Sequence, residues 1–233
     1  MSLGDSAEPG PLRIHYTAEL NELKLQTEMM GVLVDQNLER MREVLVTGDR
    51  AIAARAIAAD DEIDAMNVSL TEHCYRVLAR ENPMAHDLRL VVSVIRVTAT
   101  FERIGDLSLR VAKVVDDQPL IAGHAGIAGI FEVLQFMADG AIDRYREALR
   151  AWATGDVELA GVVASGSGPI DQAADRLTEE MLALSGPDAV KVALRANTIG
   201  HSLQRISDHA SILGRRIQYL VTGDETYLAA EVR

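Results

Sequence analysis

Residues 88–115 read LRLVVSVIRVTATFERIGDLSLRVAKVV. Within that stretch Leu90, Val94, Val97, Phe101, Ile104, Ser108, Val111 and Val115 recur every three or four positions. That period belongs to one face of a long amphipathic helix, because strands repeat every two residues. Working outward, the six prolines fall at 9, 11, 83, 119, 169 and 187 and leave long proline-free spans. Proline inside a helix costs about 3 kcal/mol, so these spans suit long helices. Strand alternation is poor, and no Asn-Gly or Asp-Gly hairpin turn occurs.

Five further stripes surround the first. One runs Leu20, Leu23, Thr27, Met30, Val34, Asn37, Met41, Val44 and another Ile52, Ala56, Ala59, Ile63, Met66, Leu70, His73, Val77. The turn between them, Thr47-Gly48-Asp49, supplies a glycine to close one helix and an aspartate to cap the next. Asn82-Pro83 ends the second helix, and Pro83 suits the first turn of the third. After a glycine-rich stretch comes Ile127, Ile130, Leu134, Met137, Ala141, Tyr145, Ala148, Trp152, ending again in Thr154-Gly155-Asp156. The fifth helix is interrupted at Ser165-Gly166-Ser167-Gly168-Pro169 and resumes as Ile170, Ala174, Leu177, Met181, Leu184. The sixth stripe runs from Val192 through Leu203, Ile206 and Ala210 to Leu220. Arg103-Ile104-x-Asp106 recurs as Arg205-Ile206-x-Asp208, in the same order within the same three-helix frame. The reading is an all-α chain of two tandem antiparallel three-helix bundles, an internal repeat. Its parts are a tail over 1–11, a first bundle over 12–117, a linker over 118–126, a second bundle over 127–223 and a tail over 224–233.

The chain has 233 residues and a net charge of −12, and aromatics make up 4%. Aliphatic side chains therefore carry the core. The acidic excess excludes a nucleic-acid partner, which needs a basic face. A single cysteine, Cys74, excludes an internal disulfide framework and fits a reducing compartment. No run of about 18 uncharged apolar residues predicts a membrane span.

Acid pairs four apart lie beside the stripes: Asp60 and Asp64, Glu102 and Asp106, Asp171 and Asp175; in the fourth row the amide Gln204 is the one exception, paired with Asp208. Residues i and i+4 are neighbours on a helix surface. One reading is a set of solvated faces, with Arg110 four residues on as a salt-bridge partner for Asp106. The other is that rows on two helices face each other and hold a hard cation such as Mg, Ca, Mn or Fe on carboxylate oxygens. None of the six histidines follows a glutamate at i+3, so the Glu-x-x-His pairing of ferritin-like di-iron sites is missing. His73 reads as a packed residue and Cys74 as inert. The glycine patches match neither phosphate-binding fingerprint. No nucleophile–base spacing points to an enzyme.

The segments Asp60-Asp61-Glu62-Ile63-Asp64, Asn82-Pro83-Met84-Ala85-His86-Asp87-Leu88-Arg89, Phe101-Glu102-Arg103-Ile104-Gly105-Asp106 and Gln204-Arg205-Ile206-Ser207-Asp208-His209-Ala210 resemble the PhoU family over about residues 12–223. The resemblance implies a cytoplasmic, non-catalytic negative regulator of phosphate uptake and of the phosphate-starvation response. It would act between the ATPase subunit of the phosphate ABC transporter and the phosphate-sensing histidine kinase, as a homodimer, with no nucleic acid and no insertion into the membrane. It also implies metal ions (Fe, Mn, Mg or Zn) on Asp60, Asp64, Glu102, Asp106, Asp171, Asp175 and Asp208. Gln204 stands where the family pattern has Glu. The alternatives are a helical metal-carboxylate protein or enzyme with a polynuclear site, and a plain helical dimerisation module.

Overall fold

A computed structural model describes residues 11–117 and 121–229; the side chains of residues 11–14, 115 and 116 are not described. The expected tail residues 1–10 and 230–233, and 118–120 of the expected linker, lie outside the described residues. Seven helices carry the architecture: α1 (Pro11–Thr47), α2 (Arg50–Glu81), α3 (His86–Ala112), α4 (Ile127–Thr154), α5 (Val157–Ser165), α6 (Gly168–Leu182) and α7 (Ala189–Thr222). A 3-10 turn covers Lys113–Asp117, and a last helical turn, Thr226–Ala229, falls within the expected C-terminal tail. The described residues contain no strand.

Local chemistry sets the helix ends. Gly48 and Gly155 take left-handed backbone, φ 65° and 67°, where a side chain would be strained. The aspartate after each then caps the next helix. Asp49 Oδ1 accepts from the amides of Ala51 and Ile52, and Asp156 Oδ1 accepts from Leu159. Each such cap stabilises its helix by about 1 kcal/mol. The third helix starts later than its proline. Asn82 and Ala85 both have positive φ, 47° and 50°, so Pro83 lies in a loop and the helix begins at His86. The interrupted fifth helix becomes two, α5 and α6, with Pro169 in the first turn of α6.

α1, α2 and α3 pack as one triplet, and α4 packs with α5, α6 and α7 as the other. The triplets do not stand apart: α3 packs along α7 and α1 against α4. One continuous apolar core therefore runs through both, from Leu23 and Ile63 to Leu177 and Leu213. Its joint is aromatic. Phe101 of α3 meets Tyr145 of α4 edge to face, with centroids 5.8 Å apart. The fully buried Tyr145 hydroxyl donates to the Gly31 carbonyl of α1 at 2.8 Å. Such a ring pair contributes about 0.5–1.5 kcal/mol beyond its burial, and the hydrogen bond about 1 kcal/mol. Outside that joint, Arg146 of α4 donates to Asp35 at 2.7 Å and Glu39 at 2.6 Å, both on α1. On the far side α5 lies so close to α7 that a Cβ on Gly214 would fall 2.6 Å from the Ala160 carbonyl oxygen.

Candidate functional site: two unequal acid rows

α2 and α3 bring the first rows together. Asp60 is buried against Gly105, where an added Cβ would come within 3.2 Å of its Oδ1. The glycine of the Arg103-Ile104-Gly105-Asp106 motif thus permits close approach of the two helices at the acid row. Glu102 is half-buried, whereas Asp64 and Asp106 are exposed. Burial, then Asp64 and Asp106, push the Asp60 carboxyl up from 3.8 to about 6, against partial relief from Lys113. Asp64 is raised by partial desolvation and then by Asp106 and Asp61. Glu102 is raised by burial, then by Asp106 and Asp64, with Arg103 opposing. These acids therefore feel one another, and no ion pair neutralises them among the described residues. The expected Arg110–Asp106 salt bridge is not formed, so Arg110 does not serve as their counter-ion.

The second row is neutralised from inside. Gln204 Nε2 of α7 donates to Asp171 Oδ1 of α6 at 2.8 Å, and the Ser167 hydroxyl donates to Asp171 Oδ2. The amide that replaces a glutamate is a donor here, so two facing carboxylates are avoided. Arg144 of α4 was not singled out in the sequence. It is half-buried, and its Nη2 donates to the Val163 carbonyl and to Ser211 Oγ, both at 2.7 Å. Val163 lies in the last turn of α5, where carbonyls lack helical partners, so the break at Gly166 creates the acceptor that Arg144 fills. Its charge reaches Asp171 and Asp208, which lie in the same field without contact. Asp208 is still raised, by desolvation and then Asp171, with Arg205, Arg144 and His201 opposing. Asp175 is exposed and takes no part. A signal for Arg144 existed: it lies three residues after Ala141 and four before Ala148, inside the core-facing stripe.

Hard carboxylate oxygens in the first row suit a hard cation by type. As placed, however, no three His, Cys, Asp or Glu side chains among the described residues converge with metal-ligand geometry. The other titratable candidates have plain roles. His73 Nε2 lies 3.3 Å from Glu19, and burial pushes the Cys74 thiol up to about 12, which leaves it unreactive.

Comparison with known proteins fits this geometry. The family model described as PhoU domain matches residues 27–115 and again 134–217, one match to each triplet. The chain belongs to the PhoU family. The phosphate-specific transport system accessory protein PhoU homolog of Pseudomonas aeruginosa is 30% identical over 216 residues, covering 90% of this chain and 86% of that protein. The accessory protein PhoU of Escherichia coli is 26% identical over 218 residues, at 90% and 86% coverage. The crystal structure of PhoU from Pseudomonas aeruginosa superposes with a TM-score of 0.78, covering 90% of this chain and 100% of that one. The phosphate transport system regulatory protein PhoU of Streptococcus pneumoniae gives 0.78 at 25% identity, with 90% and 98% covered. The family is one of accessory proteins rather than enzymes.

The raised Asp60 sets a pH signature. Its folded form takes up a proton near pH 6 and its unfolded form near 3.8, so between those values the folded state binds more protons. Stability then falls as pH rises through that window and stays penalised above it. Asp60→Asn removes the penalty, so in urea denaturation the variant should exceed the parent by about 1–2 kcal/mol near pH 7.5. The gap should close by about pH 4; a variant that is less stable at both values would contradict the assignment.

Proposed function

We propose that this protein is a cytoplasmic accessory regulator of phosphate uptake. It works as an adaptor between the ATPase subunit of the phosphate ABC transporter and the phosphate-sensing histidine kinase, and restrains both when phosphate is plentiful. The observation that carries this reading is a two-repeat match over nine-tenths of the chain to proteins named as accessory to phosphate transport. No helix among the described residues is long and apolar enough to cross a membrane, which suits a protein that docks onto a transporter. An acidic surface, net −12, favours basic patches on those partners and speeds their encounter. Pairing through a second copy of the chain would give the adaptor two equal ends. Deleting the gene in its host should leave phosphate-responsive genes expressed and phosphate uptake unrestrained in phosphate-rich medium. Unchanged expression and uptake in both rich and poor medium would contradict the reading.

One observation favours a second reading, a cation held on the first-row acids: Asp60, Asp64 and Glu102 are all raised by one another or by Asp106. Their side chains would have to rotate to converge on it. Protein purified without chelator should then carry Fe, Mn, Mg or Zn, and added metal should raise its melting temperature. Metal-free protein with a melting temperature indifferent to all four removes this reading and leaves the adaptor untouched.

A further inference from the structure

The flank of α3 that faces α7 has the opposite charge. Arg89, Arg96, Arg103 and Arg110 recur every seven residues along α3, so they form one stripe about 10 Å from station to station. Arg89 is spent at one end, its Nε donating to the Leu220 carbonyl of α7 at 3.2 Å. The other three stand over the seam between the helices. Two clefts open along it. The first, about 200 Å³, is lined by Arg96, Arg103, His209 and Arg216 among others. The second, about 210 Å³, is lined by Arg103, Arg110, Arg205, His209 and Asp106 among others. Arg103 and His209 line both, so the two clefts are neighbours along the seam.

Duplication explains the crowding. Arg103 and Arg205 hold the same place in the repeated Arg-Ile-x-Asp motif, and the packing of α3 on α7 brings both copies into one cleft. Yet Arg96, Arg103, Arg110 and Arg205 form no ion pair among the described residues. His209 is 93% buried between them, being 7% exposed, and has no hydrogen-bond partner among the described residues. Asp106 lines the second cleft, and Glu102 and Asp208 lie within electrostatic reach of Arg103 and Arg205, yet none of these carboxylates forms an ion pair with Arg103 or Arg205 among the described residues. Like charges assembled without counter-ions cost stability unless an anion joins them.

We infer that the α3–α7 seam is a binding site for a small anion carrying two or more phosphoryl groups. Each cleft has room for one phosphoryl group. Guanidinium forks grip phosphate oxygens through paired hydrogen bonds, and the multiple charge of a polyphosphoryl anion answers several guanidinium groups at once. Arg103, common to both clefts, would touch both groups, with Arg96 and Arg205 each serving one end. The buried His209 between them offers a further nitrogen. The seam meets the first acid row only at Asp106, which lines the second cleft, and its ligand would bind whether or not the chain regulates uptake.

Isothermal titration of the full chain at fixed ionic strength, with inorganic tripolyphosphate and inorganic phosphate as probes, tests the assignment. Tripolyphosphate should bind saturably at one site, and inorganic phosphate about tenfold or more weakly because it fills a single cleft. Arg103→Gln and, on the other helix, Arg205→Gln should each weaken tripolyphosphate about tenfold or more, and Arg103→Lys by less. Arg176→Gln, whose parent residue sits in an exposed pair with Glu132 on the second triplet, should bind as the parent does. Both positions are exposed, so the variants should keep the parent's circular dichroism. No saturable binding up to about 5 mM, equal affinity for the two probes, or undiminished binding in both Arg103→Gln and Arg205→Gln would overturn the inference.

Discussion

The two copies of a three-helix unit share one core, and that constraint sets which charged side chains of α3 and α7 meet. A three-helix unit with one open apolar face cannot stay in water unpaired. Here α1 and α3 of one copy lay that face on α4 and α7 of the other. Phe101, Tyr145 and the Gly31 carbonyl form the joint, where a ring pair packs and the buried hydroxyl finds its acceptor. Because the joint is close-packed, it sets the register of α3 against α7 to within a side chain. That register brings the two motif arginines into one cleft, with Asp106 of the first acid row in its lining.

Duplication alone would give two equal sites, but the copies have diverged in how they treat their acids. In the first, α2 is continuous, Gly105 lets it approach α3, and Asp60, Asp64 and Glu102 are raised by their neighbouring carboxylates. In the second, the matching helix breaks at Gly166. The break exposes the Val163 carbonyl, Arg144 moves in to satisfy it, and its charge relieves Asp171 and Asp208. Gln204 and Ser167 complete the change by donating to Asp171. One copy thus retains a charged, adjustable surface, and the other has converted the same surface into hydrogen-bonded structure.

Much of this was legible in the sequence, because helical period, glycine closure and aspartate capping act over a few residues. Most described residues of the stripes from Leu20 to Leu220 lie in the core or against it, and both Thr-Gly-Asp turns cap as their chemistry requires. Pro83 misled because a residue two places on, Ala85, adopts positive φ, and no local rule announces that. The acid rows were visible as spacing, but their environment was not. Spacing cannot tell that Asp60 rests on Gly105, that Asp175 faces solvent, or that Arg110 turns to the seam and not to Asp106. The place of Arg144 in a core-facing stripe was visible, but its partner was not, being a carbonyl freed by a helix break that exists only after folding.

Native-state hydrogen exchange in low denaturant examines the shared core most directly. If α1 and α3 are fused to α4 and α7 through one packed joint, the slowest amides of all four helices should open together. Their free energies should agree within about 0.5 kcal/mol and show the same denaturant dependence. Opening of one triplet at lower free energy, with the other still protected, would show two bundles merely touching and would contradict the account.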